Sequence, residues 1–408
     1  MTTRRDFLTL AALGATATAA GCTARTGAGA PRPGTTDPLL VAVARGQAIV
    51  RGDRVQALGD AIASPDGRRV ISATPAGPDT AVVVTSAASG QLVAARTLPG
   101  RWAPRVASLD GGYAAFTSPD RGGTTGYAPS AQARSSIAVL GPGGQPDYLD
   151  LPGNYVPDAL STSGTMYALD WLPAIAPDHY RVREINLTTR QPAPLLTRDK
   201  VPIPPGDEEE MRGEGRMAAF SPDLAVLYTL YTHQPGHEHT RDLISGGHNE
   251  SEAFVHTLFL DQHWSYCIDL PDPFGTGPAA GHAVATAPNG EVYVADITGG
   301  RLAVIDPDQL TVATVAAIPT GTGTASATVG GAYLFLAAGS TVHAIARRNL
   351  AVAGSWTAGG AVNGLAVSAD GNRLYAGSQG GVAQLDARTG THLGSVPIPG
   401  MTGLLRRL

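Results

Sequence analysis

Tight turns recur along this chain at a spacing that points to one architecture. They are Ser64-Pro65-Asp66-Gly67, Asp110-Gly111-Gly112, Ser163-Gly164, Ser221-Pro222-Asp223, Pro288-Asn289-Gly290, Gly330-Gly331 and Ala369-Asp370-Gly371. Asp-Gly and Asn-Gly supply the positive φ that two-residue hairpins require. Successive turns lie about 40 to 66 residues apart, and a four-stranded antiparallel unit of about 40–50 residues is the period of a propeller blade. After the turns come short alternating runs such as Tyr113-Ala114-Ala115-Phe116 and Tyr333-Leu334-Phe335-Leu336, the pattern of packed strands. Charged residues make up 15% of the chain, against roughly 25% in an average soluble domain. That deficit fits strands buried on both sheet faces.

Full units fall near 59–100, 101–153, 154–200, 211–270, 278–318, 321–358 and 360–400. Residues 38–58 hold three further strand-like runs, and Gly403–Leu408 holds one. Paired, the two chain ends complete an eighth blade and remove the exposed sheet edges. The expected fold is an all-β, single-domain propeller over 38–408, of eight blades by this count, with seven the alternative.

Tyr293-Val294-Ala295-Asp296, Tyr375-Ala376-Gly377-Ser378 and the third strands Leu302–Asp306 and Val382–Asp386 resemble the YVTN-type, WD-like β-propeller repeats of bacterial surface proteins. The resemblance covers most of 38–408 and is best in 280–318 and 360–400; the Trp-Asp dipeptide of true WD repeats is absent. At the other end, Thr3-Arg4-Arg5-Asp6-Phe7-Leu8 resembles a twin-arginine export signal, and Ala19-Ala20-Gly21-Cys22 resembles a bacterial lipobox. The apolar stretch between them, Phe7–Ala20, is too short to span a bilayer at 1.5 Å per residue. These resemblances imply that residues 1–21 are removed, that Cys22 is lipidated, and that the protein sits on the outer face of the cytoplasmic membrane. Residues 22–37, rich in Gly, Pro, Thr and Ala, read as a flexible tether. The chain has two cysteines, so a lipidated Cys22 leaves Cys267 without a disulfide partner.

Short units mark the scaffold, and long ones mark what has been added. Insertions at 118–135, 171–179 and 232–252 fall between second and third strands, and 197–214 joins a fourth strand to the next blade. In a propeller both loop classes emerge on one face, which is then the expected binding surface. Six of the ten histidines lie in 233–263: His233, His237, His239, His248, His256 and His263, with Glu238, Asp242, Glu250 and Glu252 interspersed. His237 and His239 point the same way in an extended segment, as metal ligands can. His233, His237, His239, Asp242, His248 and Glu250 are therefore the candidate ligand-binding residues, with His237 and His239 the candidate metal pair. The blander expectation is that the loop imidazoles are solvated and that His256 and His263 are polar strand positions. The acidic run Asp207-Glu208-Glu209-Glu210 likewise reads as a solvated loop.

The net charge of −5 offers no basic face for nucleic acid. No serine sits in Gly-x-Ser-x-Gly, so a nucleophile elbow is absent. Quinoprotein propellers resemble the chain at Asp386-Ala387-Arg388-Thr389-Gly390, but their docking motif continues to a tryptophan, and here Leu393-Gly394 follows. The expected role is a non-catalytic binding or scaffold protein of the cell envelope, membrane-attached by lipid. Its expected partner is an envelope protein, glycan or small ligand, with no cofactor. One alternative is a hydrolase or lactonase with an axial metal near Asp158, His282 and Asn363. Another is a His-rich-loop protein binding a divalent metal such as zinc or calcium.

Overall fold

The computed structural model describes residues 34–119, 128–247 and 251–408; Cys22, His248 and Glu250 lie outside them. The described residues are nearly all strand, apart from a one-turn helix, Thr240–Ser245, and a 3-10 turn, Ala279–Gly281. Six four-stranded antiparallel sheets follow one another in chain order. They span Ala103–Pro152, Asn154–Pro194, Met217–Asp269, His282–Ala317, Ser326–Thr357 and Val362–Pro397.

The remaining seven strands form one continuous sheet that divides into two blades. The first half of Arg54–Ala63 pairs with Gln47–Gly52, and its second half pairs with Arg69–Ala76. Gly59 lies at the change of partner with φ +72°, a region that a side chain would strain. The ring therefore has eight blades, and the eighth is built from both ends of the chain. Its C-terminal strand, Met401–Arg407, pairs antiparallel with Thr35–Val43. That N-terminal strand starts three residues ahead of the expected boundary at 38. The Tyr375 hydroxyl donates to Asp37 Oδ2 at 2.7 Å, and the Ala369 N–H donates to Asp37 Oδ1 at 3.0 Å, which ties these residues to the seventh blade.

The recurring turns are fixed by a local device. Ser221 Oγ donates to Asp223 Oδ1 at 2.6 Å and accepts the Val226 N–H at 2.9 Å. Ser108 with Asp110 and Ser368 with Asp370 repeat the arrangement. Each serine satisfies a backbone N–H that the turn would otherwise leave unpaired.

Among the described residues, eight apolar clusters each join neighbouring blades. Val226, Tyr228 and Leu230 of the fourth blade, for example, pack with Val292, Val294 and Ile305 of the fifth. Leu39, Val41 and Leu404 of the closing blade pack with Tyr375 and Val382 of the seventh. All six residues of Val226–Tyr231 are buried, which accounts for the low charge.

Replacing Leu404 (4% exposed) by alanine should cost about 2–4 kcal/mol by cavity formation. Deleting Gly403–Leu408 should lower the midpoint of the whole melting transition, because it unpairs the closing strand. A deletion variant that melts at the parental temperature would show that ring closure contributes nothing.

Candidate functional site

The inserted loops are hydrogen-bonded to one another on one side of the ring. The Gln132 N–H donates to Ala174 O at 3.0 Å, and Asn154 Nδ2 donates to Ser130 O and Ala174 O. Tyr180 and Met211 exchange both backbone bonds at 2.9 Å. Gln234 accepts the Arg212 N–H at 2.7 Å and returns a bond to Arg212 O at 2.9 Å. The segments 171–179, 197–214 and 232–252 together line a cavity of about 500 Å³. A second cavity, of about 410 Å³, lies beside it and is lined by Leu196, Val201, Ile203, Ile244, Tyr266 and Cys267 among others.

The acidic run that reads as solvated is in part drawn inward: Glu208 is buried and the Glu209 side chain nearly so, while Glu210 stays exposed. Glu208 bonds Arg183 Nη2 at 3.0 Å, and Glu210 pairs with Arg181 and with His179 Nε2 at 3.2 Å. Glu209, between them, faces a cluster of histidines, and its side chain keeps 10% of its exposure. His239 Nδ1 lies 3.5 Å and His237 Nε2 lies 3.9 Å from Glu209 Oε2. The two ring nitrogens are 3.1 Å apart. An ion bonded at about 2.0–2.3 Å holds tetrahedral donors about 3.3–3.8 Å apart, and the three separations here bracket that range, with the histidine nitrogens slightly closer and His237–Glu209 slightly wider. Phe254 stacks on the His237 ring and meets the His239 ring edge-on, which fixes both orientations.

The hydrogen-bond network also assigns the protons. His237 Nδ1–H donates to Glu210 O at 3.1 Å, which leaves its Nε2 as a lone pair. His239 Nε2–H donates to Asp269 Oδ1 at 2.5 Å, and its Nδ1–H faces His237 and Glu209. Burial works against charge on His239, but the bonds to Asp269 and Glu209 prevail and raise its pKa. Burial dominates at His237 and pushes it down to about 4. At Glu209, burial favours the neutral acid, yet the His239 bond and the three imidazoles outweigh it and hold the carboxyl low. His237 Nε2 and Glu209 Oε2 converge on the Nδ1–H of His239. A metal ion can replace that proton.

The other candidates lie elsewhere. His233 bonds Thr232 Oγ1 at 2.9 Å and lines a separate cavity with Arg212, Glu214 and Glu252. Asp242 lies in the first turn of the short helix, 3.7 Å from Arg241. His263 bonds Glu184 at 2.8 Å. Sequence reasoning did not place Glu209, Asp269, His256 or Cys267 in the site. The last two could have been read from hairpin register, since His256 and Cys267 are direct cross-strand partners.

No protein-family model matches the chain, and no curated protein matches its sequence. Solved structures do match. AztD from Citrobacter koseri aligns over 91% of this chain and 97% of its own, with TM-score 0.56 and 12% identity. Dihydro-heme d1 dehydrogenase NirN in complex with DHE aligns over 91% and 76%, with TM-score 0.52 and 14% identity. Saccharomyces cerevisiae Sqt1 aligns over 83% and 85%, with TM-score 0.51 and 12% identity. The chain is a β-propeller. Similarity at these identities carries the fold and leaves the site to be argued from its own residues.

Among the described residues, Asp158, His282 and Asn363 form no such cluster. Asp158 is locked in a bidentate pair with Arg216 Nη2, at 2.7 and 2.6 Å. Asn363 donates to Thr402 O at 2.7 Å. His282 Nε2 accepts the Gly275 N–H at 3.2 Å, and its Nδ1 bonds Pro278 O at 3.2 Å.

Because its folded-state pKa is depressed, neutral His237 stabilises the metal-free protein above pH 6.5. That stability is lost as pH falls from 6.5 towards about 4, by roughly 3 kcal/mol. His256, also depressed by burial, acts in the same direction. The raised His239 contributes fully throughout this window. Chemical denaturation at pH 7 and pH 4.5 should show a smaller difference for His237→Gln than for the parent. An equal difference would mean that His237 does not set the slope.

Proposed function

We propose that this protein is an exported, lipid-anchored β-propeller of the bacterial cell envelope that binds a transition-metal ion within its layer of inserted loops. The observation that carries this reading is the convergence of His237 Nε2, His239 Nδ1 and Glu209 Oε2 on one nearly buried point. Nitrogen donors favour zinc, copper or nickel over calcium or magnesium, which take oxygen ligands. Asp269 accepts from the far nitrogen of His239, the outer-shell carboxylate that metal-bound histidines commonly have. The role is binding, with the propeller as a rigid frame and the loops as the grip. Among the described residues no helix is long and apolar enough to cross a membrane, and attachment is assigned to Cys22 by its lipobox.

A second reading is favoured by the cavity of about 410 Å³ whose wall includes Glu209, His239 and Cys267. Its size suits a small organic ligand, which would lie against the ion.

Titration calorimetry with Zn²⁺ on chelator-treated protein should give one site per chain. The His237→Ala and His239→Ala variants should each bind at least about 100-fold more weakly, since even outer-shell losses cost 10–100-fold. Substoichiometric binding, unchanged in the double variant, would overturn the metal reading. Changing Cys22 to alanine should move the protein from the membrane fraction to the soluble fraction. Retention in the membrane would refute the anchor.

A further inference from the structure

The Glu209 carboxylate also faces a second set of donors, which come from the sheet. Cys267 Sγ–H donates to Glu209 Oε2 at 3.2 Å, and His256 Nε2 lies 3.4 Å from Glu209 Oε1. The three ligand atoms lie within 4.8 Å of one another. These two residues come from the sheet rather than from the insertions. Strands Phe254–Phe259 and Trp264–Asp269 pair so that His256 stands directly opposite Cys267, and both side chains therefore leave the same face. Asp269, two residues beyond Cys267, shares that face and bonds His239.

His256 supplies an independent observation. Its side chain is 2% exposed, and its Nε2 has no hydrogen-bond partner. A buried polar nitrogen left unpaired is costly, and native interiors rarely tolerate one without a role. If Nε2 carries a proton, the donor is unsatisfied; if it carries a lone pair, that pair faces a carboxylate oxygen. A cation between His256 and Glu209 relieves both conditions.

We infer that Cys267 is a thiolate ligand of the metal site, with His256 beside it and Glu209 shared between the two donor sets. This rests on the metal reading above and deepens it by naming the metal class. Binding of a divalent ion transfers the Cys267 Sγ proton to solvent and forms a metal–sulfur bond. Glu209 and the thiolate then supply two negative charges against the two positive charges of the ion, so the buried set is neutral overall. A buried neutral set avoids the desolvation penalty that an isolated charge would carry. A thiolate beside imidazole and one carboxylate selects borderline and soft ions, such as zinc and cadmium, against manganese, magnesium and calcium. The Cys267 thiol, held far above its usual range by burial and by Glu209 in the metal-free protein, is kept from reacting until an ion arrives.

The test uses Co²⁺ as a spectroscopic probe on the full chain carrying Cys22→Ser, which leaves Cys267 as the sole cysteine. The expected spectrum combines visible ligand-field bands with a near-ultraviolet sulfur-to-cobalt charge-transfer band. Adding Cys267→Ser should remove the charge-transfer band while ligand-field bands persist, and Cys267→Ala should do the same if serine disturbs folding. His256→Asn should weaken Co²⁺ binding by about tenfold or more, with the melting curve of each metal-free variant checked against the parent. Ligand-field bands without a charge-transfer band in the parent would overturn the thiolate assignment and leave the loop site standing. Unchanged Co²⁺ affinity in His256→Asn would remove His256 from the set. Absence of any Co²⁺ spectrum would overturn both this inference and the metal reading.

Discussion

The pairing of Met401–Arg407 with Thr35–Val43 is the contact on which the ring depends. Each blade buries its faces only against its neighbours, so an open ring would expose two apolar sheet faces and two unpaired edges. With one cysteine among the described residues, free and buried, no disulfide there fixes the ends, and strand hydrogen bonds with side-chain packing do the work. The contact joins residues at opposite ends of the sequence, so its loop-closure entropy is offset only when the intervening blades are already stacked. Arg406 extends the closure by donating to Ser64 O and Pro65 O of the first blade.

That rigidity is what the site draws on. Two of the donors, His256 and Cys267, and the supporting Asp269 project from a regular hairpin whose register is set by apolar packing. The other half, Glu209, His237 and His239, lies on insertions free to vary without disturbing the blades. The insertions are nonetheless held: Arg183 anchors Glu208, Arg181 anchors Glu210, and the Glu209 N–H donates to Thr240 Oγ1 at 3.3 Å. A loop with three consecutive glutamates can turn Glu209 towards the histidines because its neighbours Glu208 and Glu210 are neutralised by arginines on the adjoining strand. The protons follow from that geometry. Burial lowers the His237 pKa, while the bonds to Asp269 and Glu209 raise that of His239, so adjacent imidazoles are shifted in opposite directions by their surroundings.

The turns were readable because Asp-Gly and Asn-Gly signals act within a few residues. The blades were readable because alternation and spacing repeat. The eighth blade could be counted because its three N-terminal runs and one C-terminal run lacked any other partner. His237 and His239 were singled out by their i, i+2 spacing, whereas their burial was not foreseen, because a polar loop is ordinarily solvated. Glu209 was hidden for the same reason, inside a run whose average member faces water.

Local chemistry therefore determined the turns, the strands, their number and the expected address, since those depend on residues close together in the chain. Only the tertiary structure decided which carboxylate meets which imidazole. Glu209, His239 and Cys267 are brought together by the stacking of two blades and the folding of two insertions over them. No sequence-local rule can encode that, because which loop residues are buried, and against which strand, is a property of the closed ring.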